Sequence, residues 1–322
     1  MKTMMLTILV LLFTVLPIQA AEKFGVYIKI IEKAQGSFDE VSSSVESALK
    51  KGGWDILGSH DTGVPEKCGF RSRVISFSSE EYAASILKNG VMAAFALPIR
   101  AGIYEDEEGI NIAVVNPSSI NRTIIDETSM DEFSLAAANA IGETISGSVK
   151  GSVVNEQAGQ IRKKGRIGGM GGGDFLNKID EIRSFPDSSD STLKQVADKV
   201  KGALLQNNNE WGLKYSYDLS GMGTVIYGIT KTVTEAKAFS IAGEKRKSDS
   251  NNCPGIDHAA AFPIEVVVYK NEGQVKVVLM DGMYRMKMYF EDAGKWAFMK
   301  NMTMPGKIEK EIVNIVSSGL DN

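Results

Sequence analysis

The pattern of hydrophobic and polar positions occurs twice along the chain. Apolar side chains within residues 38–49 have the i, i+3, i+7 spacing of an amphipathic helix, and residues 193–204 repeat that spacing. A β-like segment follows each predicted helix, starting at Trp54 in the first copy and at Trp211 in the second. Self-similarity at a fixed interval is typical of duplicated structural units, so the sequence predicts two tandem copies of one unit.

The strongest match between the copies lies further along, where residues 98–115 align without gaps on residues 263–280. In both stretches apolar side chains alternate with their neighbours at the two-residue period of a strand, and a short polar turn separates two such runs. Each copy is therefore expected to contain a β-hairpin at this place. The alignment continues into residues 120–125 and 285–290, which we predict to be a third strand in each copy.

A helix is expected to close each copy, and capping boxes indicate where several helices begin. The last helix is predicted to begin near Pro305 and to stop at Gly319. The expected capping boxes pair Ser37 with Glu40, Thr192 with Gln195, and Ser129 with Glu132.

These elements predict an α+β fold made of two tandem copies of a small β-α-β(3-5)-α domain. The sheet of each copy is expected to be largely antiparallel, with its helices on one face. The domains are predicted at residues 21–154 and 178–322, and the two copies are expected to pack together. Residues 155–177 are predicted to be a Gly-rich linker, because the six glycines between Gly165 and Gly173 cannot form a packed element.

The start of the chain has the features of a secretory signal peptide. Lys2 precedes a mostly apolar run from Met4 to Leu16, and small residues follow at Ala20 and Ala21. This run is shorter than the roughly 20 residues that a membrane-spanning helix needs. We predict a signal peptide at residues 1–20 and a periplasmic or secreted mature protein without a stable membrane span; a retained N-terminal anchor is the alternative.

Several motifs of the first copy resemble the bacterial domain-of-unknown-function family 302. The resemblance covers about residues 25–125, and the second copy is similar to a diverged member of the family. It implies a small α+β domain that often occurs with another copy, and it implies no established reaction, so it assigns no catalytic residue. The motifs that carry it are Ser37-Phe38-Asp39-Glu40-Val41, Lys50-Lys51-Gly52-Gly53-Trp54, His60-Asp61, Ala96-Leu97-Pro98-Ile99 and Ile103-Tyr104-Glu105.

Charge and reactive residues exclude some functions and leave others open. The net charge of −4 argues against a nucleic-acid-binding surface, which needs a concentrated basic face. Cys68 and Cys253 either pair as a disulfide in an oxidising compartment or stay separate thiols. His60 beside Asp61, and His258, are the candidates for acid–base chemistry, but no Gly-x-Ser-x-Gly motif accompanies them. These residues give only weak support to an enzyme.

The most unusual local feature is a cluster of methionine and aromatic residues in the second copy. Thioether sulfur is a soft ligand for Cu(I), so copper is a possible cofactor, whereas Met and aromatic side chains together also suit an apolar pocket or a protein interface. The equivalent positions of the first copy carry Ser118, Asn121 and Thr123. The predicted ligand or interaction surface comprises Met283, Tyr284, Met286, Met288, Tyr289, Trp296 and Phe298. The candidate metal ligands are Met283, Met286, Met288, Met299, Met302 and Met304.

We therefore predict a non-catalytic exported protein that binds a small apolar ligand or an exported protein through this cluster. The alternative is a periplasmic Cu(I)-binding protein that uses the methionines. An enzyme is the third and least supported hypothesis.

Overall fold

A computed structural model describes residues 23–126, 128–163, 166–169, 171–207, 210–241 and 253–321. The predicted signal peptide, residues 1–20, lies outside the described residues. Within them, no helix combines the length and the apolar character that crossing a membrane requires.

The first unit forms one antiparallel sheet with the strand order β2-β3-β4-β5-β1-β6. A 3₁₀ helix, Val91–Ala96, precedes β4. The elements in chain order are β1 (Lys23–Ala34), α1 (Phe38–Lys51), β2 (Asp55–Asp61), β3 (Ser72–Ser78), α2 (Glu80–Leu87), β4 (Ile99–Asp106), β5 (Gly109–Val115), α3 (Pro117–Ile124), α4 (Asp131–Ser146) and β6 (Ser152–Lys163).

The second unit forms another antiparallel sheet, with the order β8-β9-β10-β11-β7. A 3₁₀ helix, Ile256–Ala261, precedes β10. The elements are β7 (Ile179–Phe185), α5 (Asp190–Gln206), β8 (Trp211–Leu219), β9 (Thr224–Lys231), α6 (Thr232–Phe239), β10 (Ile264–Asn271), β11 (Gln274–Met280), α7 (Gly282–Phe290), α8 (Gly294–Asn301) and α9 (Met304–Asp321).

The two sheets have the same strand order in their units, apart from the added strand β6. Both predicted hairpins are present, as β4–β5 and β10–β11. The prediction of an α+β fold with antiparallel sheets is confirmed. That the second unit is a diverged copy of the first stays a prediction.

Each sheet is covered on one face by its own helices and on the other by the partner unit. Ile99, Ala101 and Ile103 lie on one face of β4, and because side chains alternate along a strand, Arg100 and Gly102 lie on the other. A Cβ on Gly102 would approach the backbone nitrogen of Ala260 to 3.1 Å, so the small residue allows β4 to pack closely against the 3₁₀ helix of the second unit. Reciprocally, the 3₁₀ helix of the first unit packs against β10.

The prediction of a third strand in each copy is wrong. Residues 120–125 belong mostly to α3, and residues 285–290 lie in α7. The side chain of Asn116 accepts a hydrogen bond from the backbone of Ser118, and Pro117 occupies the first turn of α3. The Asp281 side chain caps α7 in the same way. These N-terminal signals favour helices in both places, although the apolar residues beyond them also fit a strand.

Other predicted boundaries also differ from the structure. The capping box of Ser37 and Glu40 is present, but Ser189 caps α5 instead of Thr192, and α4 begins without a side-chain cap. The last helix runs through Gly319 to Asp321. The predicted linker begins inside β6, which pairs with β1 and extends the first sheet. Strand pairing with a neighbour distant in sequence explains why β6 could not be recognised from local composition.

Cys68 and Cys253 form a disulfide that joins the two units across 185 positions of sequence. Cys68 lies in the segment between β2 and β3, and Cys253 lies shortly before the 3₁₀ helix of the second unit. A crosslink over so long a loop restricts the unfolded chain strongly, and such bonds typically contribute about 2–5 kcal/mol of stability.

We expect the double variant Cys68→Ser/Cys253→Ser to lower the free energy of unfolding by about 2–5 kcal/mol, because its unfolded chain is less restricted. Urea denaturation of oxidised wild type and of the variant measures this difference. Wild-type protein kept in a reductant is the matched control and should unfold like the variant. Two freely titrating thiols in the oxidised protein would contradict the pairing.

Candidate functional site

The clearest candidate site is an apolar pocket between α7, α8 and α9 in the second unit. Its cavity volume is about 70 Å³. We call it the α8 pocket and define it by its lining residues, which are Ala238, Ile241, Phe262, Ile264, Gly282, Arg285, Met286, Phe290, Ala293, Ala297, Phe298, Asn301, Met304, Pro305 and Ile308.

Helix α8 covers the pocket without being firmly packed itself. Every residue of α8 is at least partly exposed. Ala297 and Phe298 contribute to the pocket wall, whereas 75% of Trp296 and 48% of Met299 are exposed on the outside. A helix with so few buried apolar contacts belongs to the parts of a protein that open at low cost in free energy.

The chemistry of the pocket wall favours an apolar occupant. Arg285, the one charged residue among the described lining residues, is 6% exposed and donates to the backbone carbonyls of Ala261 and Pro263. Its Nε also lies 3.6 Å from a carboxylate oxygen of Glu265, and its guanidinium carbon lies 5.0 Å from the centre of the Tyr289 ring. These contacts hold the charge in the protein interior, so the pocket presents mainly hydrocarbon and thioether groups.

The structure brings only part of the predicted methionine and aromatic surface together. Met286 and Phe298 of this surface line the α8 pocket, together with Met304 from the candidate metal ligands. The assignment of Tyr284, Met288 and Tyr289 to a contact surface is wrong, because all three are at most 1% exposed. Their apolar character reflects packing in the core, which a linear pattern does not distinguish from a binding surface.

The six candidate copper ligands occupy different surroundings. Met288 is fully buried, and Met299 and Met302 are exposed by 48% and 39%. Met283 is partly buried and lies near Gly171, while Met286 and Met304 share the α8 pocket. Among the six, this pair of thioethers is the set that shares one described cavity.

Both histidines pair with carboxylates, and the partner of His60 is not the adjacent Asp61. Nε2 of His60 lies 3.1 Å from Glu235 of the second unit, while neighbouring Asp61 pairs with Arg73. His258 is 2% exposed; its Nε2 lies 2.8 Å from Asp292, and its Nδ1 lies 3.1 Å from Asp257. Burial alone would lower the pKa of His258, but the two carboxylates outweigh this effect and raise the pKa well above its usual value.

A group of three carboxylates lies at the N-terminal end of α7. The sequence analysis did not predict this group. Oxygen atoms of Asp180, Asp281 and Glu309 lie within 4.8 Å of one another. Asp281 caps α7, and Glu309 accepts a hydrogen bond from the backbone of Gly282. Burial, followed by charge repulsion, raises the pKa of Asp180 and of Glu309. These three acids come from elements far apart in sequence, so no local sequence motif predicts that they lie close together.

Sequence reasoning also missed most of the pocket wall. The small residues Ala293 and Ala297, followed by Asn301, recur every four positions, which places them on one face of α8 and of the turn before it. Met304 and Ile308 repeat this spacing at the start of α9. This spacing of small residues on α8 and bulky residues on α9 was the feature of the sequence from which the pocket wall could have been predicted. Phe262 and Ile264 gave none, because any buried strand carries such residues.

Comparison with known proteins gives one family match, which lies in the first unit. Residues 30–149 match the family model of DUF302, a domain of unknown function. The DUF302 match begins within β1 and ends just after α4, so the α8 pocket lies outside it. A crystal structure of an uncharacterized conserved DUF302 protein from Bacillus stearothermophilus shares 14% sequence identity, covers 39% of this chain and 98% of its own, and has a TM-score of 0.33. No curated protein matches the chain.

The paired His258 gives a pH-dependent prediction. Because its folded-state pKa is raised, the stability that it contributes is complete below its unfolded value of about 6.5 and is lost as the pH rises through the folded-state pKa. We expect His258→Gln to lower the free energy of unfolding by about 3–5 kcal/mol at pH 6, with a smaller difference in strongly alkaline solution. Urea denaturation across pH measures the difference, and a constant difference would show that packing alone is affected.

Proposed function

We propose that this protein is an exported, non-catalytic binding protein that takes a short apolar group into the α8 pocket. The observation that supports this function is the apolar wall under a thinly packed helix, which includes Met286, Phe298 and Met304 from the predicted cluster. Pockets lined by hydrocarbon with few polar groups are typical of sites for apolar ligands.

The size of the pocket limits what it can take. Sites for drug-sized ligands measure about 300–1,000 Å³, and a dry cavity of about 150 Å³ holds benzene. The α8 pocket, at about 70 Å³, fits a short alkyl chain or one apolar side chain. A larger ligand would place one end in the pocket and its remainder against the outside of α8.

The outside of α8 supports a contact of this kind. Trp296, Met299 and Met302 follow one another at intervals of three residues and are all exposed. Residues three apart lie on neighbouring parts of a helix surface, so Trp296 and Met299 form an apolar strip beside the pocket that Met302 continues just beyond α8. An exported protein that inserts one side chain into the pocket would cover this strip, and a free apolar molecule would leave most of it exposed.

Export is the part of the proposal that rests on the sequence. Lys2, the apolar run that follows and the small residues at Ala20 and Ala21 support a cleaved signal peptide. The disulfide between Cys68 and Cys253 supports an oxidising compartment, where such bonds persist.

Copper binding is the alternative, and the shared position of Met286 and Met304 in the pocket supports it. Two thioethers are soft donors that suit Cu(I). The double variant Met286→Leu/Met304→Leu separates the hypotheses, because it keeps the apolar volume and removes both sulfur atoms. Copper binding would be lost in this variant, whereas binding of an apolar ligand would persist.

The test uses the methionine methyl groups as reporters in NMR spectra of the mature protein. We expect 1-butanol and 1-hexanol to shift the signals of Met286 and Met304 because these residues line the pocket, with 1-hexanol binding more tightly. Each buried methylene contributes about 0.8 kcal/mol. The signals of buried Met288 and of Met130 in the first unit serve as internal controls and should move little.

A pocket-filling variant provides the matched control. Ala297→Leu fills the pocket with apolar volume and should weaken 1-hexanol binding at least tenfold, whereas Val233→Leu, at an exposed position of α6 outside the pocket, should leave it unchanged. Shifts of Met299 and Met302 as large as those of Met286 and Met304 would contradict binding in the pocket. So would 1-hexanol binding that Ala297→Leu leaves unchanged.

A further inference from the structure

A second cavity lies in the first unit, away from the α8 pocket, and is polar. Its volume is about 220 Å³. It runs along α4 opposite β1 and β6, so we call it the α4 groove. The residues that line it are Phe24, Ile28, Asn116, Ser118, Asp131, Leu135, Ala138, Asn139, Gly142, Glu143, Asn155 and Gln157.

Hydrogen bonds between side chains and backbone fix the shape of the groove at the start of α3. The side chain of Asn116 donates to the carbonyl of Gly25 in β1, 2.8 Å away, and to the side-chain oxygen of Gln157 in β6, 3.1 Å away. The same Gln157 oxygen accepts from the backbone N–H of Gly25. Asn116 also accepts from the backbone N–H of Ser118. One buried amide thus fixes β1, β6 and α3 relative to one another.

The lining of the groove includes a polar group without a partner among the described residues. Ser118 is 4% exposed, and its hydroxyl has no hydrogen-bond partner among the described residues. A buried hydroxyl left unpaired costs about 1–3 kcal/mol, so such groups call for an explanation. Because Ser118 lines the groove, a ligand that hydrogen-bonds to it supplies the missing partner.

The charges of the groove select a cation. Asp131 and Glu143 line it, and none of the described lining residues is Lys, Arg or His. The two carboxylates lie at opposite ends of α4, about 18 Å apart along the helix axis. Between them the lining offers the side-chain amides of Asn139 and Asn155 and the apolar surface of Leu135, Ala138 and Ile28.

We propose that the α4 groove binds a linear polyamine, with an ammonium group at each of the carboxylates of Asp131 and Glu143. Inner ammonium groups donate to the amide oxygens and to the Ser118 hydroxyl, and the methylene segments lie on the apolar lining. This inference is independent of the α8 pocket, since β6, which forms one wall of the groove, has no counterpart among the described residues of the second unit.

Isothermal titration calorimetry of the mature protein with spermine tests the proposal. Asp131→Asn and Glu143→Gln keep the side-chain size and remove one charge each, and each should weaken spermine binding roughly tenfold. Glu132→Gln is the matched control, because Glu132 lies on the same helix but does not line the groove, and it should leave the affinity unchanged. Putrescine is too short to reach both carboxylates and should bind more weakly than spermine.

Ser118→Ala distinguishes a ligand contact from a structural role. We expect it to weaken spermine binding without lowering the unfolding temperature of the free protein, because the hydroxyl lacks a partner there. Absence of measurable spermine binding, equal effects of Glu132→Gln and Glu143→Gln, or equal affinity for putrescine would overturn the proposal. Saturable binding of glucose in place of spermine would overturn it too, by indicating a site for neutral polyols.

Discussion

The ion pair between Arg100 and Glu265 is the interaction on which the arrangement of the two units depends. Arg100 is 1% exposed and Glu265 is 2% exposed, and the guanidinium donates directly to the carboxylate. Arg100 also donates to the carbonyl of Ala260 at 2.7 Å and to the hydroxyl of Tyr289. Two charges so far from water are tolerated only when they are paired and hydrogen-bonded. Separation of the two units would therefore leave each of these charges without its partner.

Arg100 and Glu265 occupy equivalent positions in the two units. Arg100 follows Pro98 and Ile99 at the start of β4, and Glu265 follows Pro263 and Ile264 at the start of β10. They occupy equivalent places in the two units, and the packing of the units brings those places together. Two identical units would set like charges against each other here. Opposite charges therefore favour the pairing of these two different units over the pairing of either unit with a copy of itself.

The buried contact between the two units around Arg100 and Glu265, which we call the junction, also positions the parts of the molecule that carry the proposed sites. Arg285 reaches Glu265 from α7, so the helix that forms one wall of the α8 pocket is attached to the buried pair. Tyr27 of β1 donates to the backbone carbonyl of Tyr289 in α7, and Arg162 of β6 donates to the carbonyls of Lys287 and Met288. The same two strands, β1 and β6, form a wall of the α4 groove. Both sites thus rest on elements that the junction holds in place.

Much of the fold could be predicted from the sequence, because it depends on local patterns. The alternation of apolar residues identified the hairpins β4–β5 and β10–β11, and the helical spacing identified α1 and α5. Helices α3 and α7 were mistaken for strands, since short apolar runs fit either element and the capping signals of Asn116 and Asp281 decide between them. Of the residues that line the α8 pocket, the predicted contact surface contained Met286 and Phe298, and Met304 was among the candidate metal ligands. The junction and the α4 groove join residues distant in sequence, which no spacing reveals.

A double-mutant cycle on Arg100 and Glu265, measured by urea denaturation, tests most directly whether the junction depends on this pair. The cycle comprises Arg100→Met, Glu265→Gln and the double variant. We expect each single variant to lose about 3–5 kcal/mol of stability, because Glu265→Gln leaves Arg100 without a carboxylate, and Arg100→Met leaves Glu265 with only its longer contact to Arg285. The double variant should lose clearly less than the sum of the two, with a coupling energy of about 2 kcal/mol or more. Single effects that add to within about 0.5 kcal/mol would contradict the account, since they would show that the two charges do not depend on each other.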